Sequence, residues 1–147
     1  MRTVHEATIP APPQTVFDLV WDVEGWPRLD PAYRWCRVLE RGAGAVRFEM
    51  GGRIRGWPAR WTALLTGDRS EGWLRFRHVG GLTTGMEVVW VLRARPPGTH
   101  VVLAHDLTLR WPVGGRLACD LVVGPVFIDW IARRTLRAVA AAVSGGR

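Results

Sequence analysis

The spacing of apolar residues changes three times along this chain of 147 residues. Residues 2–9 alternate weakly between apolar and polar side chains, which predicts a strand. In the next segment, PAPPQTVFDLVWDVEGWPRLDP, the apolar residues recur at helical spacing after a pair of prolines, and EGWP interrupts the run. We therefore predict one strand followed by two short helices.

Residues 33–111 have the pattern of strands six times in succession. The predicted strands are YRWCRVLE, AVRFEM, RIRGWPARWTALL, GWLRFRHV, TGMEVVWVLRAR and THVVLAHDLTLRW. The sequences RGAG, GGR, TGDRSEG, GGLT and RPPG separate them and are typical of turns. One hairpin after another predicts an antiparallel sheet.

The period returns to that of a helix after PVGG. An apolar stripe runs to the end of the chain, with Pro125 as a predicted kink: Leu117, Leu121, Ile128, Ile131, Leu136, Val139 and Val143. This order of elements is that of the α+β helix-grip fold, in which a curved seven-stranded antiparallel sheet wraps around a long C-terminal helix and a deep cavity. We expect residues 1–147 to form a single domain of this kind.

The segment RIRGWPARWTALL, residues 53–65, contains two tryptophans four residues apart. Its internal glycine and proline disfavour a helix, so we predict an extended segment with alternating faces. Arg55, Trp57 and Trp61 then share one face, whereas Arg60 lies on the other. We expect the tryptophans to look onto a cavity, with Arg55 as an inward guanidinium near the strand end and Arg60 in solvent.

The same alternation on the later strands gives an inward face that is apolar except for two histidines. Its members are Leu74, Phe76, His78, Met86, Val88, Trp90, Leu92, Val101, Leu103, His105, Leu107 and Leu109. Nine tryptophans in one chain are unusual, and two interpretations stay open. They fill a core, or they line a cavity that suits a planar or polyunsaturated apolar ligand.

Charge and cysteine content exclude several classes of function. The net charge is +7, but all 20 basic residues are arginines scattered along the chain, which indicates codon usage in a GC-rich genome rather than a nucleic-acid partner. No apolar run reaches the length of a membrane span and MRTVHEATIP is unlike a secretory signal, so we expect a cytoplasmic protein. Two cysteines without a CxxC motif predict neither a zinc site nor a disulfide framework, and without a phosphate-binding loop we expect no cofactor.

The phrase IPAPPQTVFDLVWDVEGWPRLDPAY resembles the opening of the START-like (SRPBCC) polyketide cyclase/dehydrase and coenzyme Q-binding families. There, a phrase of the type APxxxVFxLVxDxExWPxW leads into the second strand. The resemblance extends to about Trp111, and the final helix agrees only in kind. Within the superfamily, the chain is most similar to the aromatase/cyclases of aromatic polyketide synthesis.

This resemblance implies a set of pocket residues. Five positions match residues that line the polyketide pocket in those enzymes: Trp26, Tyr33, Trp57, Met86 and Trp90. Three positions depart, since Ala59 replaces a pocket serine, Trp61 the central catalytic arginine and His78 a second arginine. The arginine-centred chemistry of the family is therefore not expected here.

We predict that His78 and His105 transfer protons, although a histidine on an apolar face is more often structural. Tyr33 and Arg55 would hold an enolate oxygen, Tyr33 by a hydrogen bond and Arg55 by charge. The predicted ligand-binding residues are Trp26, Trp57, Trp61, Phe76, Met86, Trp90 and Leu103. No metal ligand is predicted.

Two functions follow from these expectations. The first is an enzyme that promotes the cyclisation or dehydration of a poly-β-ketone, and the second is a non-catalytic carrier of a lipid or quinone. Either would bind an apolar small molecule, and an enzyme could receive it from an acyl carrier protein. A monomer and a homodimer are both compatible with the sequence.

Overall fold

The structure is a computed structural model that describes residues 2–81, 83–107 and 127–145. Its strands are β1 (Arg2–Ile9), β2 (Tyr33–Gly42), β3 (Ala45–Ile54), β4 (Trp57–Asp68), β5 (Trp73–Gly81), β6 (Glu87–Arg95) and β7 (Gly98–Asp106). The helices are α1 (Pro13–Trp21), a 3-10 turn (Val23–Gly25), α2 (Trp26–Leu29) and α3 (Asp129–Gly145).

The seven strands form one antiparallel sheet in the order β1-β7-β6-β5-β4-β3-β2. Every neighbouring pair except β1–β7 is a hairpin, and β1 joins the sheet at the far edge of β7. The predicted helix-grip architecture is confirmed, with its curved sheet, short helices after β1 and C-terminal helix. The predicted continuation of the last strand through residues 108–111, and the stripe positions Leu117, Leu121 and Pro125, lie outside the described residues.

Alternation along the strands sets which face is buried. On β7, for example, Val101, Leu103 and His105 are buried while the residues between them are partly exposed. The buried face of the sheet packs against α1 and α3. On α3 the buried residues, Ile131, Ala132, Thr135, Leu136 and Val139, recur at helical spacing and so form one stripe toward the sheet.

The outer face of the sheet is charged, and several of its arginines pair with carboxylates. Arg60, predicted to be solvated, has a side chain that is 68% exposed and lies 3.0 Å from Glu49. Arg75 and Arg77 both lie beside Glu87 on the same outer face. In the described part of the chain, no helix is long and apolar enough to cross a membrane.

The turn between β3 and β4 lies at Arg55–Gly56 and not at the predicted GGR. Both turn residues have positive φ, 54° at Arg55 and 84° at Gly56, as a two-residue hairpin turn requires. The earlier glycines, Gly51 and Gly52, instead belong to β3, where groups of other segments approach the backbone closely. A Cβ on Gly52 would lie 2.5 Å from the carbonyl oxygen of Ala32.

Candidate functional site

An apolar cavity of about 100 Å³ lies between the sheet and α3. Most of the wall is aromatic and aliphatic, and besides the indoles five of the described side chains bring polar groups to it: Tyr33, His78, Thr83, His105 and Thr135. Such a wall favours an apolar ligand that is oriented by a few polar contacts.

Trp26 is the centre of the aromatic part of the wall. Its ring contacts Tyr33 edge to face at 4.9 Å between centroids, Phe76 at 5.7 Å and Trp90 at 6.4 Å. The EGWP sequence positions this side chain, because Trp26 begins α2 and its indole N–H donates to the carbonyl of Val20, 3.0 Å away. The indole is therefore held in place by both ends of the helical break.

His78 is fixed at the wall by its neighbours. Its ring stacks on Trp61 with 5.9 Å between centroids, and its Nδ1 lies 2.8 Å from the hydroxyl of Thr83 in the β5–β6 connection. Burial lowers the pKa of His78 to about 4. The imidazole is thus neutral at pH 7.

His105 lines the same cavity from β7. Burial lowers its pKa to about 3, and the nearby His5 and His78 add to this by charge repulsion. Its Nδ1 is buried and has no hydrogen-bond partner among the described residues. Two neutral imidazoles therefore border one cavity, and each has the capacity to accept or return a proton.

Tyr33 also borders the cavity, but its hydroxyl proton is already donated to another group of the protein. The hydroxyl lies 2.6 Å from Oγ1 of Thr135, whose own proton is donated to the carbonyl of Ile131. Tyr33 must therefore donate to Thr135, which leaves it able to accept a hydrogen bond and not to give one. Burial raises its pKa well above the ordinary value, so it is not a base at neutral pH.

The predictions for Arg55 and Trp57 are wrong as to position. Arg55 is an exposed turn residue, and the side chain of Trp57, which directly follows the turn, is 67% exposed. Trp57 does lie on the same face of β4 as Trp61, which borders the cavity. It fails to reach the cavity because the hairpin tip extends beyond the elements that could cover it.

The remaining predicted ligand-binding residues all line the cavity: Trp26, Trp61, Phe76, Met86, Trp90 and Leu103. Their roles toward a ligand stay predictions. No arginine is found at the cavity wall among the described residues. The positively charged group that the sequence analysis assigned to the site is therefore missing from the described part of the wall.

Sequence reasoning missed two hydroxyl groups of the site and, for Trp90, which it did name, the lack of a partner for the indole N–H. Thr83 holds His78, Thr135 holds Tyr33, and the indole N–H of Trp90 is buried with no acceptor among the described residues. Thr135 could have been found, because it falls on the apolar stripe of the last helix one residue before Leu136. Thr83 lies in a connection whose shape the sequence does not fix.

Comparisons with known proteins agree with this geometry. Residues 9–138 match the family described as polyketide cyclase / dehydrase and lipid transport. A Streptomyces cyaneus protein named as a polyketide cyclase is 33% identical over 116 residues, which cover 74% of each chain. The actinorhodin polyketide synthase bifunctional cyclase/dehydratase of Streptomyces coelicolor is 36% identical over 109 residues, 71% of this chain and 34% of that protein.

A solved structure shows the same fold. The Zhui aromatase/cyclase of Streptomyces sp. R1128 superposes with a TM-score of 0.79 at 21% identity, over 97% of this chain and 95% of that one. At this level of identity the likeness establishes the fold alone. The chemistry must be argued from the residues of the cavity.

Proposed function

We propose, given that this chain belongs to the polyketide cyclase/dehydrase and lipid-transport family, that its cavity binds an apolar polyketide-derived molecule and promotes its cyclisation and dehydration. The observation that carries the proposal is the pair of buried neutral imidazoles, His78 and His105, at one apolar cavity. A carrier needs the apolar wall and has no use for two proton-transfer groups.

The chemistry requires little beyond shape and proton transfer. His105 accepts a proton from a carbon between two carbonyls, and the resulting enolate carbon forms a bond to a second carbonyl carbon of the same chain. The new alkoxide takes up a proton from solvent and becomes a hydroxyl, which balances the proton that His105 removed. Dehydration follows when a neutral imidazole takes a neighbouring C–H proton and the imidazolium so formed gives that proton to the departing hydroxyl, which leaves as water.

The aromatic wall supplies the orientation. Trp26, Trp61 and Trp90 surround the space in which the chain would fold, and a folded chain brings the reacting carbons together. Because the cavity is small, a short ketide or a single turn of a longer one fits this proposal best. Delivery by an acyl carrier protein and the oligomeric state stay predictions from the sequence.

The carrier function is the alternative, and one observation favours it. The described part of the wall has no charged side chain to stabilise an enolate, so the negative charge would depend on hydrogen bonds alone. Under this alternative the protein binds planar or lipid-like molecules without changing them.

The two functions are separated by incubating the protein with a short poly-β-ketone thioester and analysing the products. We expect faster formation of a cyclic, dehydrated product than in buffer, and loss of this acceleration in the His78→Gln/His105→Gln double variant. Quenching of tryptophan emission by the same compounds measures binding independently. Saturable quenching with product formation at the buffer rate would establish a carrier and contradict the enzyme.

A further inference from the structure

A second histidine lies behind His105 on the neighbouring strand. β1 pairs with β7 so that Thr3 is opposite His105 and His5 is opposite Leu103. Thr3 and His5 are two residues apart and therefore project from the same inner face as His105. Diagonal neighbours of this kind lie about 7–8 Å apart, within reach of two imidazole rings and a bridging molecule.

Three buried polar atoms lie in the corner of the cavity wall that β1 and β7 form, and none of them is paired within the part of the chain that the structure describes. Oγ1 of Thr3, Nδ1 of His5 and Nδ1 of His105 have no hydrogen-bond partner among the described residues. Buried polar atoms are nearly always bonded, and an ordered water with two to four polar neighbours is the usual solution. The corner therefore has the donors and acceptors that one buried water requires.

His5 is also connected to the protein surface. Its Nε2 lies 2.5 Å from Oδ1 of Asp129, the first residue of α3, and Arg133 contacts the other carboxylate oxygen at 2.9 Å. The side chain of Asp129 is 39% exposed, and that of His5 only 10%. The hydrogen bond from His5, with that from Arg133, holds the pKa of Asp129 below its usual range.

These contacts assign the protons. Since Asp129 is ionised at neutral pH, it accepts a hydrogen bond from His5 in the tautomer that has its proton on Nε2. Nδ1 of His5 then carries a lone pair that faces the corner, where it accepts a hydrogen bond from the water. The same water accepts one from His105 if that ring carries its proton on Nδ1.

We propose that Asp129, His5 and one ordered water beside Thr3 form a proton path between the protein surface and His105. The inference rests on the proposed function of His105 as a base. His105 accepts a substrate proton on Nε2, which we assign to the cavity, and releases its Nδ1 proton to the water. The water passes one of its own protons to Nδ1 of His5, and the imidazolium beside Asp129 then loses a proton to solvent.

The path removes from His105 the proton that this residue takes from the substrate. A buried imidazolium at His105 is disfavoured, because its pKa is lowered to about 3. A proton left on that ring would return to the substrate unless it had another exit. His5 and Asp129 are positioning residues in this scheme, since neither is placed at the reacting carbon.

The test needs a probe whose proton transfer is measurable without a known substrate. 2-Tetralone, a bicyclic ketone, exchanges the hydrogens next to its carbonyl for deuterium in D₂O, and mass spectrometry follows the rate. We expect the wild-type protein to accelerate this exchange. His5→Gln keeps an amide for Asp129 but cannot pass a proton, and we expect it to lower the turnover rate about tenfold or more with little change in KM.

Asp129→Asn is a second variant at the other end of the path and should lower the same rate. His100→Gln is the matched control, because His100 is on β7 but pairs with Glu6 outside the cavity, and it should exchange at the wild-type rate. If the wild-type protein accelerates exchange and both path variants exchange at the wild-type rate, the path is overturned and the proposed function stands. If the wild type itself gives only the buffer rate, the proposed function fails.

Nitrogen NMR of the ligand-free protein tests the path without any reaction. We expect His105 to carry its proton on Nδ1 and His5 to carry a proton on Nε2. In His5→Gln the His105 resonances should shift toward a mixture of tautomers, which His100→Gln should not produce. A wild-type His105 protonated on Nε2 would overturn the proposed direction of transfer.

Discussion

Two walls of the cavity hold a histidine in different ways. On the β4–β5 wall, His78 is stacked on Trp61 and bonded to Thr83, so both its ring plane and one nitrogen are fixed by protein groups. On the β1–β7 wall, the corresponding nitrogen of His105 has no partner in the described structure, and two further unpartnered atoms lie on the neighbouring strand.

This difference indicates a division of labour between the walls. The β4–β5 wall is satisfied by its own contacts and is suited to holding the shape of a ligand. The β1–β7 wall has unused hydrogen-bonding capacity that leads through His5 toward Asp129 at the surface. Equal burial of the two imidazoles therefore does not imply equal roles.

The largest expected effect separates the two histidines. In the wild-type background, His105→Gln should lower the rate of ketide cyclisation by about 10²–10⁴-fold, as expected for loss of a general base. His78→Gln should lower it less, about tenfold, because Trp61 and Thr83 still shape the wall. Product formation under single-turnover conditions measures both. Equal losses in the two variants would show that the walls share the proton transfers.

A second prediction concerns the tryptophan between the walls. Trp90 on β6 is 1% exposed and contacts the Trp26 cluster, so Trp90→Ala should reduce the free energy of unfolding by about 3–5 kcal/mol. Trp57→Ala is the matched control, since the same substitution at the exposed hairpin tip should change it by less than about 0.5 kcal/mol. Chemical denaturation followed by circular dichroism gives both values. A similar cost at the two positions would mean that the tip is covered in solution.

The smallest effect is the pH dependence of stability. Both imidazoles have lowered pKa values in the folded protein, about 4 and about 3, against 6.5 when unfolded. The unfolded chain therefore binds more protons as the pH falls below 6.5, and stability declines until each folded-state pKa is reached. Each imidazole should contribute at most about 1.4 kcal/mol per pH unit.

Denaturation curves between pH 7 and pH 5 check this, with the His78→Gln/His105→Gln variant as the reference. The stability of the variant should depend less steeply on pH than that of the wild type. Parallel curves for the two proteins would contradict the burial of the imidazoles.

Several features of the site could be predicted from local pattern alone. The faces of β5, β6 and β7 follow strict alternation, so the sequence placed Phe76, Trp90 and Leu103 inward correctly. The two histidines follow the same rule. Alternation works here because β6 pairs with β7 without a register shift, and β5 pairs with β6 without one from Trp73 to Arg77.

The local sequence pattern did not show how far along a strand a residue lies from the cavity. It placed Trp57 on the same face as Trp61 but could not show that the chain turns at Arg55–Gly56. The preceding Gly51 and Gly52 resemble a turn, whereas the structure uses Gly52 to let the backbone of Ala32 approach. A close approach between distant segments leaves no signal in a single short stretch.

The sequence by itself determined the order of elements, the buried faces and the pairing of apolar walls with two inward imidazoles, because these depend on periodicity and on local turn residues. Only the tertiary structure decided which residues reach the cavity and which polar groups are already bonded. The hydroxyl of Tyr33 is committed to a threonine 102 residues away, and His5 meets Asp129 across 124 residues. Such contacts depend on how the final helix lies against the sheet, which residue periodicity does not encode.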